Sequence, residues 1–125
     1  MKLENQVVSL ELSKRLRELG VKQESIFYWC DVSESYHEVR WEVILNPKIA
    51  VKDHVSAFTV AELGEIFWDT FEKYGWNLIY IAYGEVFNFK GTQNIGNLGV
   101  VNLMRNPDMS AKMLIYLLEN KLINL

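Results

Sequence analysis

From Tyr36 to Leu45 the chain alternates: Val39, Trp41, Val43 and Leu45 fall on one side of an extended backbone, Glu38, Arg40 and Glu42 on the other. Residues two apart share a face only in a strand, and a strand with one wet face belongs to an antiparallel sheet. Its partner lies just upstream. Ile26 to Asp31 is β-branched and aromatic, which suits a pleated, half-buried surface, and Asp31-Val32-Ser33-Glu34-Ser35 reads as the polar hairpin turn between the two. Asn46-Pro47 ends the second strand, because proline cannot donate to a ladder, and the stretch to Val55 reads as an irregular loop.

Three segments carry helix signals. Ser9 to Gly20 has Ser9 to cap its start, Gly20 for a left-handed stop, and Leu12, Leu16 and Leu19 on one stripe among charged positions. Thr59-Val60-Ala61-Glu62 fits a capping box, with Phe58 and Leu63 placed as a hydrophobic staple. Leu63, Ile66, Phe67, Phe71 and Tyr74 continue that helix as an apolar stripe up to Gly75. Asn106-Pro107 has the form of a cap followed by a first helical residue, and a third helix runs on to about Asn120 with Met109, Met113, Leu114, Leu117 and Leu118 apolar.

Between the second and third helices, Trp76 to Tyr83 is apolar on both alternating faces and reads as a central strand. Gly84-Glu85 then forms a two-residue turn into a fourth strand, Val86 to Lys90, and Val100 to Met104 is a candidate fifth. The expected order is helix–hairpin–helix–hairpin–helix. It predicts a single α+β domain over residues 1–125, an α/β sandwich in which a four- or five-stranded, mostly antiparallel sheet packs with three helices.

Composition narrows function by exclusion. Half the residues are hydrophobic and 13% aromatic, enough to build a core without a metal or disulfide staple. The formal charge of −3 disfavours a phosphate-backbone binder. Lys14, Arg15 and Arg17 are the only basic cluster, and with Glu11 and Glu18 beside them they read as a solvated helix face. Met1 to Gln6 lacks the apolar centre of a signal peptide, and no apolar run approaches the roughly 20 residues of a membrane span. The expected compartment is the cytoplasm.

No residue set announces a reaction. Cys30 is the sole cysteine and sits in an apolar run, where a small buried hydrophobe is expected. His37 and His54 have no carboxylate at metal-ligand spacing and read as surface histidines. Glu62 and Glu65 belong to a helix start, where acidic residues meet the positive end of the dipole. Gly91 to Gly99 is glycine-rich but lacks both the P-loop ending and the dinucleotide spacing, so it reads as a flexible or bulged connection. No cofactor and no metal ligand is assigned. Of the four tryptophans, Trp29, Trp41 and Trp76 fall in predicted strands, whereas Trp68 lies beside the buried stripe of the second helix and is the candidate interaction surface.

Three segments together carry a resemblance: Ser9 to Ser25 followed by Phe27-Tyr28-Trp29, Ser56 to Glu65 (SAFTVAELGE), and Ala111 to Ile123 (AKMLIYLLENKLI). In this respect the chain resembles a family of small uncharacterised proteins encoded by bacteriophages and bacterial prophages. Asn106 to Ser110 and Asn46 to Val55 depart from the family's pattern. The resemblance implies a genomic setting and no catalytic residue. The expectation is a non-enzymatic accessory protein that binds another protein or a copy of itself. The alternative is a small-molecule or nucleotide-binding enzyme using Gly91 to Gly99, with His54 near a pocket.

Overall fold

The computed structural model describes residues 2–34, 37–45, 47, 53–87 and 106–125. Among these residues are three strands, β1 (Phe27–Asp31), β2 (Trp41–Leu45) and β3 (His54–Ala57). Four helices accompany them: α1 (Leu10–Glu18), α2 (Val60–Tyr74), α3 (Trp76–Phe87) and α4 (Pro107–Glu119), with a 3-10 turn at Leu3–Asn5 ahead of α1.

The class is α+β, but the expected sandwich of a four- or five-stranded sheet on three helices is wrong. Trp76 to Tyr83 is not a central strand; it is most of α3, and Gly84, Glu85 and Val86 continue the same helix instead of turning into a fourth strand. A run that is apolar on both alternating faces is equally consistent with a helix apolar around most of its circumference. The eight residues from Trp76 to Tyr83 fit either an ordinary strand of roughly 4–8 residues or two turns of a helix, so the run itself does not choose, and in the structure it opens the helix Trp76–Phe87. Once helical, Leu78, Ala82 and Val86 turn inward at four-residue spacing, while Ile81 and Glu85 are exposed. The third described strand is instead β3, in the stretch expected to be loop. It is four residues long, with Val55, Ser56 and Ala57 all buried, so it shows no alternation to find. Asn88 to Lys90, Gly91 to Gly99 and Val100 to Met104 lie outside the described residues.

The sheet order is β2-β1-β3, and both outer strands run antiparallel to β1. Phe27, Trp29 and Asp31 stand opposite Leu45, Val43 and Trp41 on one side, and Phe27 and Trp29 opposite Ala57 and Val55 on the other. Cross-strand partners share a face, so these residues form one surface of the sheet. Helix α1 lies on that surface. The Trp29 indole donates to the Val8 carbonyl at 2.8 Å just ahead of α1, and Lys14 Nζ stands 4.6 Å from the Trp41 ring.

The local signals hold at helix boundaries. Gly20 and Gly75 both adopt φ near the left-handed region (90° and 84°), the conformation that ends α1 and separates α2 from α3. Asn106 Oδ1 accepts from Asp108 N and Met109 N, with Pro107 at the first helical position. Ser9 occupies the cap position of α1 but makes no side-chain cap; its N–H donates instead to Asp108 Oδ1 at 2.8 Å, tying the start of α1 to the start of α4.

The core is organised around α4 and not around the sheet. Ala111, Met113, Leu114, Ile115 and Leu117 are all buried and pack with Leu16 of α1, Leu63 and Phe67 of α2 and Ala82 of α3. A helix buried on nearly every side needs neighbours on every side. Helices α1, α2 and α3 supply them.

Candidate functional site

Helix α2 is anchored at its start more firmly than any other element. Thr59 Oγ1 accepts from Glu62 N at 3.3 Å, and Glu62 Oε1 accepts from Thr59 N at 3.0 Å, which completes the reciprocal box. The second Glu62 oxygen accepts from Ile26 N at 3.1 Å, so the cap also fastens α2 to the entry of β1. Phe58 and Leu63 are both buried in the core cluster, as a staple requires. Phe67 is buried too, and one residue further around the helix Trp68 is 59% exposed. Along that outer face Trp68 has Gly64 and Glu65 a turn before it and Glu72 a turn after it, with both glutamates exposed. A broad aromatic between two carboxylates offers apolar contact area with a charged border, the composition of an interface anchor.

A groove of about 610 Å3 runs between α1 and α4. Leu12, Val86, Ile115 and Tyr116 give it apolar walls. At its rim Arg15 bridges Glu18 and Glu119, both at 3.1 Å. These hydrogen bonds, Glu119 first, raise the pKa of the exposed guanidinium above its ordinary value. Arg17 pairs with Asp53 at 3.0 Å and donates to the His54 carbonyl at 2.9 Å, while Lys14 sits over Trp41. The three residues of the basic cluster therefore each engage different internal partners. None of the three cations stands as part of a common phosphate site.

The other sequence candidates are dispersed. Cys30 is fully buried in the central strand, and burial pushes its thiol pKa up, away from the lowered value of a reactive cysteine. His54 is exposed at the start of β3, edge-on to the Tyr28 ring at 5.7 Å, and is absent from the walls of the described cavities. His37 is exposed in the turn before β2. Glu65 is exposed on α2, three residues beyond the capping Glu62. Gly91 to Gly99 lies outside the described residues. Among the described residues no three His, Cys, Asp or Glu side chains converge as metal ligands, and no helix is long and apolar enough to cross a membrane.

One feature of the surface has no counterpart in the sequence reading. In β1–β2 the Val32 N–H donates to the Arg40 carbonyl at 2.9 Å, so residue 40 faces its partner strand. Antiparallel ladders alternate, so the N–H and C=O groups of Trp41, Val43 and Leu45 point away from β1, along the outer edge of the sheet. Among the described residues no strand covers that edge. Val39 and Leu45 at its two ends are 77% and 62% exposed. Alternation locates such a strand, but a strand's own residues do not say what lies beside it.

Compared with known proteins, the chain matches no family model, no curated protein and no solved structure.

Proposed function

We propose that this protein is a non-enzymatic accessory protein of phage or prophage type that acts in the cytoplasm by binding another protein through the Trp68 face of α2. The observation that carries the reading is the 59% exposure of Trp68 on a helix whose neighbouring turn is locked into the core. An aromatic carried on the outer face of a capped, packed helix brings a backbone already ordered before a partner covers it. The exposed Glu65 and Glu72 favour a partner with basic or amide groups around an apolar pocket. The phage setting rests on the three resembling segments alone.

The test uses the whole chain as bait. Host proteins retained by the wild type and by Trp68→Ala are compared by quantitative mass spectrometry, with thermal unfolding of both as the control. An exposed substitution of this kind should alter stability by no more than about 0.5 kcal/mol. A partner enriched on the wild type and lost from the variant supports the reading. Identical retention by the two, or none by either, refutes it.

A further inference from the structure

Glycine inside a helix weakens it relative to alanine, so a glycine there calls for a reason. Gly64 stands in the second turn of α2. The glycines that end α1 and α2 adopt positive φ and Gly64 does not, so no turn demands it. Packing does not demand it either. Among the described residues, a Cβ built on Gly64 meets no neighbouring atom within 4 Å, so alanine would fit the fold as it stands. The outward side remains. Gly64 shares the outer face of α2 with Trp68, one turn further on, and its missing side chain leaves bare backbone beside the indole. Glu65, Asp69 and Glu72 are exposed along the flank of that face. A bare step next to a projecting aromatic is a shape another chain can match, since glycine serves where a backbone must be approached closely.

We propose that Gly64 is the close-approach point of the Trp68 surface, and that the partner lays a basic helix across it, its backbone closing on Gly64 while Trp68 enters between its side chains. A helical partner follows from the backbone. The N–H and C=O groups of α2 in this turn are spent within the helix, so an extended segment pressed flat against it would bury its own groups unbonded. A helix satisfies its backbone internally, and how near two helices come depends on the side chains at their contact. At Gly64 there is none on one side. The charge of the partner follows from the flank. Glu65, Asp69 and Glu72 are complemented by lysine or arginine along the facing border. A second copy of this chain would instead bring the same carboxylates toward one another.

The inference rests on the Trp68 reading, and separate variants tell the two failures apart. In urea unfolding, Gly64→Ala should raise the midpoint above the wild type, because the helix gains and nothing clashes. A lower midpoint would mean that the fold itself needs the glycine, and overturns the proposal. The binding probe is a fluorescein-labelled synthetic helix with an alanine face bordered by lysines, read by fluorescence anisotropy against an otherwise identical glutamate-bordered helix. The wild type should bind the lysine helix and not the glutamate one. Gly64→Leu should weaken that binding ~10-fold or more in Kd, with far-UV circular dichroism unchanged. Binding of neither helix, or of both alike, overturns the proposal. If Trp68→Ala loses binding and Gly64→Leu keeps it, this inference falls and the Trp68 reading stands. Full binding by Trp68→Ala refutes both. A wild-type dimer in sedimentation velocity that Gly64→Leu dissociates would make a second copy the occupant, and likewise overturns the basic helix.

Discussion

The β3 edge and the β2 edge flank the same central strand, and among the described residues only the β3 edge is seen to be sealed. At β3 Val55, Ser56 and Ala57 are all buried, and outward backbone groups are capped by Gln23, Arg17 and the Val7–Val8 segment. At β2 the corresponding end residue Leu45 is 62% exposed and the outward groups are bare among the described residues. The difference shows that edge protection comes from segments remote in sequence, and the strand's own composition does not provide it. β3 contains no Asp, Glu, Lys or Arg, and it is the protected one.

The largest contrast should come from one substitution made on both edges. Val55→Asp puts an unpaired carboxylate in a fully buried position and should cost about 4 kcal/mol or more, enough to unfold a marginal domain. Leu45→Asp on the β2 edge should cost no more than about 1 kcal/mol. Urea unfolding of the pair measures this, and equal losses would mean that the edges are energetically alike. Gln23→Ala comes next. It leaves the buried Ser56 N–H without an acceptor and should cost about 1–3 kcal/mol, visible as a lower urea midpoint at unchanged slope. A variant as stable as the wild type would show that Gln23 does not seal the β3 edge. Thr59→Ala is the mildest. It removes one partner of the capping box where β3 hands over to α2 and should cost about 1 kcal/mol. An unchanged urea midpoint would mean that the box does not hold the start of α2.

Trp68 was legible beforehand because it follows from helix geometry. Leu63, Ile66 and Phe67 define the buried arc of α2, and a residue one step past Phe67 is rotated by about 100° out of it. What stands beside each strand was not legible. Whether a strand is central or marginal depends on what pairs with it, and β2 reads the same in either case. The same holds for the ion pairs of the basic residues of α1, which Asp53 and Glu119 set, whereas the burial of Cys30 was already expected from its apolar run.

The sequence by itself determined the punctuation of the chain. The Thr59–Glu62 box, the Asn106-Pro107 cap and the glycine stops at 20 and 75 act through bonds or backbone angles within a few residues, so they survive without knowledge of the fold. The alternation of β2 belongs here too, because its period is a property of the segment. Tertiary structure alone decided that Trp76 to Phe87 is a helix, that His54 to Ala57 is a strand, and that the core centres on α4. An apolar run satisfies either period, and a four-residue buried strand has none, so only their neighbours choose. Gln23 reaches Ser56 across 33 residues and Arg17 reaches His54 across 37. Contacts at that separation exist only after the chain has folded, and they are what close the β3 edge of this sheet.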